Sequence, residues 1–364
     1  MRARLIFLAA TLAGCATLGS TGEGDVDLPT SGVGPFRKLT IKEVIGVAPF
    51  VLDDKAAQFR EPAALALEGA SPSSVALYFV ATKGEGAAAR DVLVRTRADD
   101  ARSFYVAPTD LGHAPRKVLA PDAPWEGTRL AGPSALRVAD EVFLYYAAAG
   151  GIGLARSKDG LVFTKESAPI LVPDAAARWE TTTPHAPSVA RLPDGRFRML
   201  YVAGNAIGEA ESTDGVRWAR LGPDPVFAPS PPVSPASLLP GEKPPFDTDS
   251  VGDPVLAPRL TPAGRLHIRV LYTGRAGTSS AIGFAARYGD TGPLVRNALP
   301  VFSVDKHEAA PALFEWSEDG HTRSMLYVQQ DKQGDGTTLY PALSAAVAPA
   351  TDTLSAPERF ASEP

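Results

Sequence analysis

A proline-led apolar run, followed roughly a dozen or more residues later by a Leu-Tyr pair, occurs five times along the chain, and such a repeat limits the folds open to it. The pairs are Leu77-Tyr78, Leu144-Tyr145, Leu200-Tyr201, Leu271-Tyr272 and Leu326-Tyr327. The prolines are Pro62, Pro133, Pro187, Pro254 and Pro311. Proline has no N–H to give to a strand ladder and is tolerated at a strand's first residue, so the five prolines are read as five strand starts.

A third element follows each pair. Ile152-Gly153-Leu154-Ala155, Ile207-Gly208-Glu209-Ala210 and Ile282-Gly283-Phe284-Ala285 are copies of one pattern, with residues 92–96 and 338–344 in the matching places of the first and fifth repeats. Two copies run on into Ser157-Lys158-Asp159-Gly160-Leu161-Val162-Phe163 and Ser212-Thr213-Asp214-Gly215-Val216-Arg217-Trp218. Asp-Gly supplies the positive φ of a tight turn, and the aromatic three residues on can pack back onto the repeat. A short fourth strand is expected near Ile170 and Val226. Four antiparallel strands per repeat, with no long helical periodicity, predict an all-β chain folded as a five-bladed β-propeller, a pair of stacked sheets being the rival. Ring closure is left between a strand from residues 45–52 and the C-terminal stretch alone.

The N-terminus reads as an export signal. Arg2 and Arg4 precede an apolar stretch, residues 5–12, that is too short to span a bilayer permanently. Leu12-Ala13-Gly14-Cys15 resembles a bacterial lipobox, and Cys15 is the only cysteine, so it is the expected lipidation site and the fold has no disulfide to rely on. The expected organisation is a signal peptide at 1–14, the lipidated cysteine with a flexible tether at 15–40, and the propeller domain at 41–364. That places the chain in the cell envelope, membrane-anchored at the periplasmic face or cell surface. A net charge of -5 argues against nucleic acid as a partner, and a monomer is expected.

The inner-strand prolines, the Leu-Tyr strands, Ile-Gly-x-Ala and Ser-x-Asp-Gly-x-x-Trp/Phe together resemble the five-bladed propeller glycosidase superfamily. Arabinanases, xylosidases, invertases and the related β-mannoside phosphorylases belong to it. The resemblance covers residues 52–360. It implies a central funnel lined by each blade's first strand, with a glycan or small-molecule ligand at the mouth, and either glycosyl hydrolase-like activity or carbohydrate binding alone.

Residues just ahead of each inner-strand proline are then the ones to reach a ligand. Glu61, Asp253 and Glu308 are the candidate catalytic carboxylates, because glycosidic cleavage needs one carboxyl group as acid and a second as base or nucleophile. Arg60 and His185 are expected to contact sugar hydroxyls, and Trp179 to offer a stacking face. Trp125-Glu126, Trp179-Glu180 and Phe246-Asp247 recur ahead of three prolines, a repetition that points to structure. Asp249 is a further ligand contact, or with Asp247 and Thr248 a set of oxygen donors to calcium. Two carboxylates fall short of the roughly six to eight oxygens calcium takes, so neither cofactor nor metal is expected. Arabinanase-like members carry Asp, Asp and Glu on blades one to three. Glu61, Gly132 and Ala186 stand there, so that triad does not carry over. Either other blades supply the acids, or the fold keeps binding without catalysis.

Overall fold

The structure is a computed structural model that describes residues 36–39, 58–68, 71–83, 89–104, 115–261, 263–304, 307–333, 339–347 and 351–352. The expected export signal, Cys15 and residues 45–52 lie outside the described residues. Regular structure is almost entirely β, with 3-10 turns at Pro124–Glu126 and Pro235–Ser237.

A short strand β1 (Arg37–Lys38) precedes five antiparallel sheets. The first holds β2 (Gln58–Ala66), β3 (Val75–Lys83), β4 (Arg90–Ala98) and β5 (Arg116–Leu119). The second holds β6 (Ala131–Val138), β7 (Glu141–Ala148), β8 (Gly151–Ser157) and β9 (Thr164–Lys165). The third holds β10 (His185–Arg191), β11 (Phe197–Ala203), β12 (Ala206–Ser212) and β13 (Ala219–Arg220). The fourth holds β14 (Ser250–Leu256), β15 (Arg259–Leu260), β16 (Leu266–Ala276), β17 (Ser279–Tyr288) and β18 (Val295–Arg296). The fifth holds β19 (Glu308–Glu318), β20 (His321–Gln333), β21 (Leu339–Val347) and β22 (Thr351–Asp352), joined by β1. The first strands form a ring: β2 packs on β6, β6 on β10, β10 on β14, β14 on β19, and β19 back on β2. This is a β-propeller arrangement of antiparallel sheets. Arg37 and Lys38, read from the sequence as tether, pair with Val347 and Ala346 of the last sheet.

Both faces of each sheet are buried, so alternate residues of one strand belong to different cores. Leu77 and Phe79 pack with Phe314 and Tyr327 at the seam of the first and fifth sheets, whereas Ala76, Tyr78 and Val80 pack with Leu144 and Tyr146 toward the second. Five such apolar clusters occupy the five seams.

The strand registers correct the Leu-Tyr alignment. Tyr78, Tyr145 and Tyr327 lie opposite Ala63, Ser134 and Ala312, each the residue after the inner-strand proline. In the third and fourth sheets that place belongs to Leu200 and Leu271. Tyr201 and Tyr272 are equivalent to Tyr146 instead, opposite the glycine of Ile-Gly-x-Ala. A one-residue slip moves a side chain to the other face, and the two tyrosine sets do different things. Tyr78, Tyr145 and Tyr327 donate across seams to the carbonyls of Gly160, Gly215 and Ala101, at 3.0, 3.0 and 2.8 Å. Ala101, at φ 59°, ends a third copy of the Asp turn: Asp100 accepts from the Arg102 and Ser103 amides, as Asp159 does from Leu161 and Val162.

Tyr146, Tyr201 and Tyr272 face the other way and donate to Glu126, Glu180 and Asp247, at 2.8, 2.7 and 2.9 Å. Each carboxylate also takes a cation from its sheet's outermost strand, Lys165, Arg220 or Arg296. The partner aromatics Trp125, Trp179 and Phe246 lie against the same three tyrosine rings. The Ile-Gly-x-Ala glycine is required by this packing. A Cβ at Gly208 would sit 2.5 Å from the Tyr201 ring and 2.7 Å from Trp179. Trp179, expected as a sugar platform, is therefore one wall of this buttress. The remaining two seams use ion pairs: Arg198, Arg287, Glu209 and Asp290 between the third and fourth sheets, and Arg269 with Glu315 between the fourth and fifth.

Candidate functional site

The five prolines are not first in their strands. Each inner strand starts two to four residues earlier, or at Glu308 three earlier, and carries a register break at the proline: Arg60/Ala63, Ala131/Ser134, His185/Ser188, Gly252/Val255 and Ala309/Ala312. A bulge interrupts the ladder, so proline's missing N–H costs no hydrogen bond there. The residue before each proline is left-handed in all five sheets: Glu61 (φ 53°), Gly132 (50°), Ala186 (45°), Asp253 (45°) and Ala310 (46°). Non-glycine residues held this way cost about 1–3 kcal/mol each.

These five residues and their prolines form a collar around an axial cavity of about 30 Å³, room for a water or two. Beneath it is a chamber of about 130 Å³ walled by the same prolines and by residues such as Ala63, Val189, Leu256 and Leu313. A sugar ring does not fit within the collar.

Two of the expected carboxylates are brought together here, Glu61 and Asp253, both lining the collar. Glu308 is not with them. The bulge puts Ala310 at the fifth collar position, and Glu308 is fully buried, accepting the Val304 amide at 2.9 Å. Counting back from the proline without the bulge hid this.

Glu61 accepts the Arg60 Nε at 3.1 Å and the Gly132 amide at 2.6 Å. Burial raises its carboxyl above the usual range, and the charge of Asp253 adds to this against the opposing pull of Arg60 and the amide. A quarter of its side-chain surface stays exposed, so the burial is enclosure by surrounding protein. Arg60 braces the collar and also reaches Thr82 at 2.8 Å and Asp91 at 2.5 Å. Asp91, only 1% exposed, takes the Thr82 hydroxyl on its other oxygen, and Arg129 lies 3.6 Å from it. Asp253 has Arg275 at 3.5 Å. Thr82, Asp91, Arg129 and Arg275 belong to no recurring motif. Only the pairing of Thr82 with Asp91 across β3 and β4, invisible in one strand's sequence, brings the first two together.

The other expected contacts stand apart. His185 opens β10, with its Nδ1 2.9 Å from the Thr183 carbonyl. Asp249 is exposed and caps the β16–β17 hairpin by accepting the Gly277 amide at 2.7 Å. Asp247 is taken up by Tyr272 and Arg296, which leaves the expected calcium donors without it. Among the described residues no group of three or more His, Cys, Asp or Glu side chains is placed to hold a metal ion.

The sheets and the collar together define an all-β propeller. One similar solved structure comes from the GH130 family of mannoside phosphorylases, a family that contains glycoside hydrolases targeting β-1,2 mannosidic linkages in Candida mannan. It is 15% identical, with 88% of this chain and 97% of that one covered and a TM-score of 0.58. A glycosyl hydrolase from Bacteroides ovatus is 16% identical, covering 89% and 96%, with a TM-score of 0.59. A family 117 glycoside hydrolase from Zobellia galactanivorans is 12% identical, covering 89% and 92%, with a TM-score of 0.59. At these identities the likeness is one of fold. No protein-family profile matches the chain, and no curated protein does.

Proposed function

We propose that the five sheets are the five blades of one propeller, carried on an exported, Cys15-anchored lipoprotein of the cell envelope, and that its axial mouth binds a glycan without cleaving it. One observation carries the binding reading. A Cβ at Gly132 would lie 2.8 Å from the Ala186 Cα and 3.1 Å from its nitrogen, so the second collar position admits no side chain without backbone movement. With alanine at the third, the collar keeps only Glu61 and Asp253 as polar groups, enough to accept sugar hydroxyls. The test is calorimetric titration of the domain with an oligosaccharide panel, alongside product analysis of the same mixtures. Binding without product, weakened in Glu61→Gln and Asp253→Asn, supports the reading. An absence of binding across the panel overturns it.

A second reading, hydrolysis, is favoured by one observation: burial and a neighbouring carboxylate raise the Glu61 carboxyl, as a general acid requires, while Asp253 stands by as base. Product release abolished by Asp253→Asn with binding retained would establish it. The anchor is tested separately. Cys15→Ser is expected to prevent incorporation of a fatty-acid label and to release the protein from the membrane fraction.

A further inference from the structure

The mouth carries a line of charges that alternates on each side of the axis and brings two carboxylates together across it. It runs Arg129, Asp91, Arg60, Glu61, then across the collar to Asp253 and Arg275. Its inner members are tightly held: Arg60 meets Asp91 at 2.5 Å and is 16% exposed. Its ends are not. Arg129 is 60% exposed and sits 3.6 Å from the Asp91 oxygen that Arg60 already occupies, and Arg275 is 47% exposed with Asp253 at 3.5 Å. At these separations, with the guanidinium groups largely in solvent, neither arginine is held tightly by its carboxylate. Two guanidinium groups thus flank the mouth, one beside the first sheet and one on the fourth, with planar donor forks suited to carboxylates. Three cations face three carboxylates, and the raised Glu61 carboxyl tips that balance toward positive as pH falls.

We infer that the ligand of this mouth is an acidic oligosaccharide, whose uronate carboxylates are met by Arg129 on one side and Arg275 on the other. This rests on the glycan-binding reading and narrows its substrate class. The hydroxyl-bearing edges of the sugar rings lie over Glu61 and Asp253, and the uronate carboxylates reach outward to the two arginines.

The test titrates the intact domain with oligosaccharides from polygalacturonate, alginate and hyaluronan, and with carboxyl-reduced versions of the same chains. At least one acidic chain is expected to bind about tenfold or more tighter than its reduced counterpart. Arg129→Gln and Arg275→Gln should each remove much of that preference, weakening the acidic chain several-fold more than the reduced one. Added salt should weaken the acidic chain selectively. Equal affinity for acidic and reduced chains, or a preference that survives both substitutions, overturns the inference and leaves glycan binding standing. Binding of neutral oligosaccharides alone does the same. No binding of any saccharide overturns both.

Discussion

Replacing Tyr78 by phenylalanine removes one oxygen from the seam between the first and second sheets and leaves the ring's packing in place. That hydroxyl is buried and donates to the Gly160 carbonyl at 3.0 Å, itself at the buried tip of the second sheet's Asp-Gly turn. Among the described residues no other side chain donates to that carbonyl, because Phe163 occupies the aromatic position of the turn and has no N–H. Tyr145 makes the equivalent bond to Gly215 at 3.0 Å, but there Trp218 Nε1 also donates to the same carbonyl, at 3.2 Å. Tyr78→Phe therefore strands a buried acceptor, and about 1–3 kcal/mol is expected to be lost. Tyr145→Phe leaves its acceptor satisfied and should cost about 0.5–1.5 kcal/mol. Urea titration followed by tryptophan fluorescence gives both values, as shifts in midpoint at unchanged slope. Phe163→Trp should recover part of the loss in the Tyr78→Phe background by supplying the missing donor, which a double-mutant cycle measures. A cost for Tyr145→Phe equal to or above that for Tyr78→Phe would refute the role given to the hydroxyls as seam clasps.

Glu180→Ala leaves Arg220 and the Tyr201 hydroxyl facing an empty site, and should cost about 3–5 kcal/mol in the same assay, with Glu180→Gln costing less. Gly132→Ala forces a side chain against Ala186 at φ 50°, and about 2–4 kcal/mol of destabilisation is expected from left-handed strain and overpacking together. Asp253→Gly relieves left-handed strain at a residue whose one ion pair is 3.5 Å long, so melting should show equal or higher stability while glycan binding is lost. His267 is fully buried against Tyr288, and burial pushes its pKa down to about 2. The unfolded chain, with an ordinary histidine near 6.5, then binds more protons, so stability is full above that value and falls by about 1.4 kcal/mol per pH unit below it. His267→Phe should flatten this slope between pH 6.5 and 5, measured by urea titration at each pH. Glu126, Glu180, Asp290 and Glu315 have lowered carboxyl pKa values through their cationic and hydrogen-bonding partners, and they add a second loss as pH falls below about 4.

The parts legible in the sequence are those in which one side chain declares its own geometry. Each proline marks its inner strand because proline changes the backbone wherever it stands, and Asp159-Gly160 and Asp214-Gly215 mark turns for the same reason. The third turn, at Asp100-Ala101, escaped notice because alanine replaces glycine there. The aspartate's hydrogen bonds hold the turn, and the seam tolerates Ala101 at φ 59°. Leu-Tyr misled in the third and fourth sheets because either residue of such a pair suits a strand buried on both faces. Only the pairing partner distinguishes Tyr201 from Tyr145. Glu308 misled for a related reason: a bulge decides which residue ahead of a proline turns inward, and a bulge is a property of two strands at once. The buttress of Trp179, Tyr201, Glu180 and Arg220 draws on three separate stretches of chain, and only the Trp-Glu step is adjacent in sequence.

The collar separates what the fold needs from what a ligand would need. Its conformation is left-handed in every sheet, and glycine or a single methyl group satisfies it at Gly132, Ala186 and Ala310. Glu61 and Asp253 adopt the same strained backbone and also place carboxylates where the charge of Asp253 raises the cost of charging Glu61. Neither serves the apolar seams, which lie between the sheets and not on the axis. Arg60 offsets part of the charge at Glu61, but Arg60 is itself held by Asp91, a buried acid whose remaining oxygen takes the Thr82 hydroxyl. The ion network costs desolvation at Glu61, Asp253, Arg60 and Asp91, whereas Gly132, Ala186 and Ala310 hold the same left-handed backbone without charge, and the proposed glycan site is what would account for the difference. The two loosely held arginines at its ends then set the sign of what binds.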